Sequence, residues 1–435
     1  MGTSKNRENE SFDIPSLVHM PFTYKRDEYP TCQKCDKHLF RIILLKMIFV
    51  HRKNSIGFER TGEKSRQCVY TMNVTIDERK TIFYFLDMTE RKPKAANNRT
   101  LTLTEDEIPR LREMLMTQEM LTVGASRGNA GVSSGAAGAS CSAGEASRIF
   151  ESALFENKII NADILKALAH IPDAFADLIL IDPPYNLTKN FGGHVFNAMT
   201  SEAYYAFLES WFPAVCRKLK PNGSLYICGD WKCTSSLQRA VEKELTILNR
   251  ITWQREKGRG AKANWKNSME DIWFAVKNPA NYTFNTESVM MKRRVIAPYK
   301  LDGKPKDWQE TEEGNFRLTH PSNFWDDISV PFWSMKENTD HPTQKPEKLY
   351  AKLILASSCV GDMVFEPFSG SGTACVTAKK LGRKYCGIEI NEEYCLWAEK
   401  RLMDADDDKT IQGYSDGVFW ERNSLKEQLT SCRRK

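Results

Sequence analysis

Hydrophobic positions in the second half of the chain recur in two alternating patterns. Short unbroken apolar runs at 176–181 (ADLILI), 223–229 (GSLYICG), 362–368 (DMVFEPF) and 384–390 (KYCGIEI) have the length and content of strands buried on both faces. Between them, SEAYYAFLESWFPAVCRKL (201–219), LYAKLILASS (349–358) and GTACVTAKKLG (372–382) space their apolar residues as helices. Ser201 is placed to start the first and Gly382 to stop the last. Strands alternating with helices predict an open α/β sheet. The first 121 residues are patterned differently. CVYTMNVTI (68–76) and TIFYFLDM (81–88) read as strands. In LTLTEDEIPRLREMLM (101–116), Thr104 with Glu107 three residues on forms a capping box ahead of a helix.

The stretch TVGASRGNAGVSSGAAGASCSAGEAS (122–147) is rich in Gly, Ala and Ser and nearly free of large apolar groups, the composition of a flexible linker. The expected organisation is a small N-terminal α+β accessory module over 1–121, whose role the sequence does not give, a linker over 122–148, and an α/β domain over 149–435.

Composition narrows this only slightly. With 435 residues, 41% of them hydrophobic, the chain can build two or three domains with a sizeable core. A formal net charge of +6 permits a polyanionic partner without demanding one. Residues 1–10 are polar and charged. The apolar stretch 39–50 carries Arg41 and Lys46 and falls short of the ~20 residues a bilayer needs, so a soluble intracellular protein is expected. Among 12 scattered cysteines, Cys32 and Cys35 form one C-x-x-C, with His38, His51 and Cys68 as further potential ligands. No second C-x-x-C completes a zinc pattern, so ordinary thiols are expected rather than a metal site.

Two short strings carry candidate chemistry. In FEPFSGSGT (365–373) a strand runs into a Ser/Gly-rich turn and then a helix, and Glu389 ends the next strand about twenty residues on. That arrangement lets a ligand approach the backbone closely, with an acid at hand for ribose hydroxyls. It is neither G-x-G-x-x-G nor a phosphate loop with its lysine, which suits S-adenosylmethionine better than a dinucleotide. In DPPY (182–185), Asp182 stands at the carboxyl end of a strand, where open α/β sheets bind ligands. Pro183 and Pro184 have fixed φ and no N–H, so their carbonyls are acceptors without a competing local donor. The Asp182 carboxylate and the Pro183 carbonyl then form a stiff pair of acceptors for an –NH₂ group, and Tyr185 offers a flat face to a ring. As a purely structural element the string would be a rigid turn.

With these strings in place, the sequence resembles the amino-methylating site-specific DNA methyltransferases, which methylate adenine N6 or cytosine N4. DPPY looks like their catalytic tetrapeptide, FEPFSGSGT like their cofactor loop, and HPTQKP (341–346) like a further cofactor-side motif. The catalytic string precedes the cofactor loop, as in the circularly permuted β group, and the resemblance covers roughly 155–405. It implies a Rossmann-like α/β fold and S-adenosylmethionine as methyl donor. Asp182, Pro183, Pro184 and Tyr185 take the catalytic positions. Asp163, Phe365, Glu366, Phe368, Ser369, Gly370, Ser371, Gly372, Thr373, Glu389, His341, Thr343 and Lys345 take the cofactor positions. Glu366 stands where the family often has Asp; the charge is kept and little effect is expected.

Asp at the first catalytic position goes in the family mostly with adenine and Ser mostly with cytosine, so adenine N6 is favoured. Cytosine N4 and a non-catalytic nucleic-acid-binding protein stay open as alternatives. DNA is the implied partner, and a dimer and a cognate restriction endonuclease are further partners the resemblance leaves open. Target recognition is expected from about 253–335. Basic residues cluster there at 253–273 and 291–300, interleaved with Trp253, Trp265 and Trp273, while Glu270 and Trp273 are read as structural.

Overall fold

A computed structural model of the chain describes residues 97–121, 152–191, 193–255, 264–296, 299–311, 314–422 and 424, 426, 428 and 429. The chain divides into two compact units, Met1–Lys94 and Ala95–Lys435, and every described residue belongs to the second. The strands expected at 68–76 and 81–88, the Cys32/Cys35 cluster, the apolar stretch 39–50 and the linker 122–148 lie outside the described residues.

A nine-stranded sheet organises the second unit. In chain order its strands are β1 (Met116–Thr117), β2 (Lys158–Asn161), β3 (Ala176–Ile181), β4 (Leu219–Gly229), β5 (Thr246–Gln254), β6 (Met269–Val276), β7 (Phe324–Trp325), β8 (Met363–Glu366) and β9 (Lys384–Glu389). In space they run β1-β2-β9-β8-β3-β4-β6-β5-β7. Strand β6 is antiparallel to its neighbours β4 and β5, and the other adjacent pairs are parallel. The helices are α1 (Glu107–Met114), α2 (Ile164–Leu168), α3 (Ser201–Lys218), α4 (Thr234–Glu244), α5 (Glu347–Ser357), α6 (Thr373–Lys380) and α7 (Glu392–Asp407).

The apolar runs are continuous because both faces of the sheet are covered. Alternate residues of β3 enter different cores. Ile179 and Ile181 pack with Leu208 and Phe212 of α3 and Leu237 and Val241 of α4, while Leu178 and Leu180 pack with Leu349 and Leu353 of α5 and Leu402 of α7. Each such buried side chain contributes about 1.5–3 kcal/mol. Helix α3 begins one residue earlier than expected, because Thr200 rather than Ser201 caps it: its Oγ1 accepts from the Ala203 N–H at 3.2 Å.

The expected division at residues 121/149 is corrected. Residues 97–121 are part of the α/β fold, not of a separate module. Strand β1 extends the sheet beside β2, with Met116 opposite Ile160. Leu111 and Leu115 are 2% exposed and join the core beneath α5–α7. Arg112 pairs with Glu392 at 2.6 Å and Glu107 with Lys400 at 2.7 Å. The capping box forms as predicted, with the Glu107 carboxylate accepting from the Thr104 N–H at 3.0 Å and its hydroxyl at 2.8 Å. The linker-like composition of 122–147 marked a boundary that the sheet pairing crosses.

The expected recognition segment also divides. Its first part supplies the end of β5 and all of β6, and its last part supplies β7, in the main sheet. Residues 291–294, 309–311 and 314–319 build a five-stranded sheet together with 414–415 and 418–420, near the far end of the chain. Buried Asp327 anchors this region to α5 through Lys352 at 2.9 Å and Lys348 at 2.7 Å. No helix among the described residues is long and apolar enough to cross a membrane.

The site follows from the strand order. From β3 the chain moves through α3 to β4 on one side, and from β8 it moves through α6 to β9 on the other. The crevice between the carboxyl ends of β3 and β8 is therefore the switch point where open α/β sheets take ligands.

Candidate active site

A cavity of about 550 Å³ opens at that switch point. One end is walled by the Ser369–Ser371 turn and Glu389, the other by Asp182, Tyr185 and Glu270. The predicted site residues line it, with the exception of Phe365 and Gly372. Phe365 is fully buried, its ring edge-on to Phe175 at 6.2 Å, and belongs to the core. Gly372 begins α6 with φ +70°, and a Cβ there would come 2.6 Å from that of Ala398. Both shape the turn without facing the ligand.

The turn is held from below. Glu389 accepts from the Gly370 N–H at 2.9 Å and the Asn391 N–H at 2.8 Å. Gly370 has φ +49°, and a Cβ there would lie 2.9 Å from His341 Nε2. Burial first, and then the charges of Lys345, Lys189 and Arg401, push His341 down to about 3, so its imidazole is neutral. Asp163 caps α2, its Oδ1 accepting from the N–H groups of Leu165 and Lys166 at 3.1 and 3.3 Å. The Glu366 carboxylate sits under the first turn of α6, within 3.3 Å of the Ala374 and Cys375 N–H groups. Burial nevertheless raises it to about 8, so the charge expected at this position is absent near neutral pH. Ser369 Oγ is buried with no hydrogen-bond partner among the described residues.

At the other end, Pro184 has lost the freedom expected of it: its carbonyl accepts from the Tyr204 hydroxyl at 3.0 Å. Asn186 secures the next turn through paired hydrogen bonds with the Met199 backbone at 2.7 and 2.8 Å. Lys345, expected on the cofactor side, instead places Nζ 2.7 Å from both oxygens of Asp182. Glu270, read as structural, lies in the cavity wall. Its Oε2 accepts from the Tyr185 hydroxyl at 3.0 Å and lies 3.4 Å from Lys345 Nζ, and its Oε1 pairs with Arg255 at 2.9 Å. Burial raises Asp182, with Lys345 opposing and Glu270 adding to the rise. Burial acts in the same direction on Glu270, but Lys345 and Arg255 outweigh it and hold that carboxyl below the usual range. Two adjacent acids, Glu270 and Asp271, open the strand MEDIWFAV ahead of an apolar run, and that was the available signal for Glu270.

The residues expected to meet DNA separate by burial. Trp253 is 1% exposed, its Nε1 donating to the Ile328 carbonyl at 3.1 Å, and Trp273 is a core residue; Trp265 is 98% exposed. Residues 256–263 lie outside the described residues. Arg293 faces Glu421 at 3.6 Å, and Lys292 packs over the rings of Phe316 and Trp420.

The chain is similar to known proteins over most of the α/β fold. The family described as DNA methylase, of N6 and N4 methyltransferases, matches residues 176–400, just over half of the chain. The Type II methyltransferase M.HpaI of Haemophilus parainfluenzae is 34% identical over 279 residues, 64% of this chain and 80% of the relative. The DNA adenine methyltransferase YhdJ of Escherichia coli (strain K12) is 36% identical over 251 residues, 56% of this chain and 82% of the relative. Among solved structures, the M1.HpyAVI–SAM complex is 24% identical with a TM-score of 0.40, covering 56% of this chain and 98% of that one. The DPPY string, the glycine turn and the cavity joining them all fall within or beside the matched residues, and the chain belongs to the DNA methylase family of N6 and N4 amino-methyltransferases.

Proposed function

We propose that this protein transfers a methyl group from S-adenosylmethionine to the N6 amine of an adenine in DNA. The observation that carries the reading is the single cavity joining the Asp182–Tyr185 string to the glycine turn. The similar proteins include one named as a DNA adenine methyltransferase, and Asp182 is the residue the family pairs mostly with adenine.

The residues present fit the cofactor. Gly370 leaves room that a side chain would fill, and the unpartnered Ser369 Oγ and the Glu389 carboxylate offer polar groups suited to a nucleoside with ribose hydroxyls. Asp163 and His341 close the same end. Bound there, S-adenosylmethionine supplies a methyl on a sulfonium: as the amine nitrogen bonds to that carbon, the carbon–sulfur bond breaks and a neutral thioether leaves.

The protein's own work is positioning and electrostatics. An aromatic amine is a weak nucleophile because its lone pair is delocalised into the ring. Asp182 Oδ and the Pro183 carbonyl, accepting from its two N–H groups, favour a pyramidal nitrogen and free the lone pair. Tyr185 provides the stacking face, held by Glu270. The proton released from the methylated nitrogen goes to Asp182 or to water. An adenine in duplex DNA must leave the stack to reach this cavity. The same reading places the enzyme with genomic DNA, in the cytoplasm of a bacterial host or the nucleus of a eukaryotic one. It extends to a cognate restriction endonuclease and to a second copy of the chain, which co-purification and sedimentation would test.

Mass analysis of nucleosides from DNA incubated with protein and S-adenosylmethionine tests the reading. N6-methyladenine is expected. N4-methylcytosine, or no methylated base on a DNA library containing all short sequences, would overturn it.

A further inference from the structure

We propose that Lys345 and Glu270 are positioning residues for the transfer step, with Lys345 holding the Asp182 carboxylate as an acceptor and Glu270 fixing both Lys345 and the Tyr185 ring. The proposal rests on the amino-methyltransferase reading of this site; it turns Lys345 from the cofactor to Asp182 and gives Glu270 a task beyond holding Tyr185.

Geometry carries it. An ammonium has three N–H donors. Those of Lys345 face Asp182 Oδ1 and Oδ2, each at 2.7 Å, and Glu270 Oε2 at 3.4 Å. Its side chain is 5% exposed, so no spare donor reaches toward a cofactor. Glu270, equally buried, is shared between the Tyr185 hydroxyl, Lys345 and Arg255. Lys345 Nζ also stands 5.1 Å from the centre of the Tyr185 ring. The acceptor for the amine and the face for the base are thus tied through one ammonium–carboxylate pair, and neither moves without the other. A buried pair broken on one side leaves an uncompensated charge, so each member locks the other.

The pair also sets which form Asp182 takes. A carboxylate accepts from an amine N–H; a carboxylic acid presents a donor instead. Lys345 opposes the effect of burial on Asp182, while Glu270 reinforces it. The other titratable groups around Asp182 are Lys189, Tyr185, Tyr204, Tyr350 and Cys228, each of which feels the Asp182 charge, with Arg255 acting through Glu270.

The two substitutions therefore move the pH profile in opposite directions. In Lys345→Met, kcat for DNA methylation should fall by about 100-fold or more while KM and cofactor affinity change by less than about threefold, a loss confined to the transition state. The acid limb of its kcat profile should move to higher pH. Lys345→Arg should restore roughly tenfold of the lost rate by returning the charge. Glu270→Gln should lower kcat and move the acid limb to lower pH. A structural role would lower the melting temperature and leave both limbs where they are; that outcome overturns the proposal, as does a loss of cofactor affinity in Lys345→Met that accounts for its loss of rate. If Lys345→Met does not fold, Glu270→Gln still reads the move of the acid limb to lower pH, against Lys345→Arg, which keeps the charge and should leave the limb in place. N4-methylcytosine as the wild-type product would overturn the adenine reading while leaving this assignment intact, because either base presents the same kind of amine.

Discussion

The Gly370 N–H donates to the Glu389 carboxylate at 2.9 Å, joining the turn after β8 to the tip of β9. The turn is shaped by that acid as much as by its own glycines. Gly370→Ala would force a side chain into φ +49° and against His341, a strain of about 1–2 kcal/mol. The dissociation constant for S-adenosylmethionine should rise by about tenfold or more, read by calorimetry, since that strain alone is worth about tenfold if relieved by opening the turn. Glu389→Ala should have the same effect, and Glu389→Gln, which keeps an acceptor, a smaller one.

Asp182→Ala should abolish methyl transfer, by about 100- to 1,000-fold or more in kcat, while cofactor binding largely survives. Tritiated methyl incorporation and cofactor titration measure the two effects separately. Retained turnover would contradict the role given to Asp182.

Glu366 gives stability a pH dependence. Unfolded, it holds its proton to the ordinary value of 4.5; folded and buried, to about 8. The stability tied to its protonated form is complete below 4.5 and is lost as pH rises toward 8, by up to about 1.4 kcal/mol per unit. Glu366→Gln mimics the protonated side chain. Denaturant titrations from roughly pH 5 to pH 8 should show a shallower decline in the variant than in the wild type.

Lys348 and Lys352 share the Asp327 carboxylate where all three are buried. Asp327→Asn should cost about 3–5 kcal/mol by leaving two ammonium groups without a counter-charge. Equilibrium unfolding measures the loss, and proteolysis should open the sheet at 291–319 first.

Leu111→Ala should cost about 2–5 kcal/mol, the penalty of a core cavity, if residues 97–121 belong to the α/β fold as the structure has them. A separate accessory module would leave the unfolding midpoint of residues 149–435 unchanged.

Much of this was legible in the sequence. The unbroken apolar runs of β3, β8 and β9 mark strands covered on both faces, and the two short strings at their ends both reach the cavity wall. What local pattern does not carry is pairing. Nothing near Lys345 in HPTQKP indicates that it turns to Asp182 rather than to a cofactor, because that choice is made by charges brought together from distant strands. Glu270 was passed over for the same reason: its partners Tyr185, Lys345 and Arg255 converge only in the folded chain. Nor does a Gly/Ser-rich stretch announce that the segment before it returns to the edge of the sheet as β1.

Strands β3 and β8 lie side by side, with Leu178 opposite Val364, although the chain between them is long. During synthesis β3 emerges with one flank open and waits for a neighbour encoded roughly 180 residues later, on the order of ten to forty seconds at ribosomal speed. An unpaired apolar flank invites association with other nascent chains. The permuted order thus makes the birth of this enzyme its most vulnerable moment, and yields in cells should depend on elongation rate and chaperone supply more steeply than the stability of the finished fold would suggest.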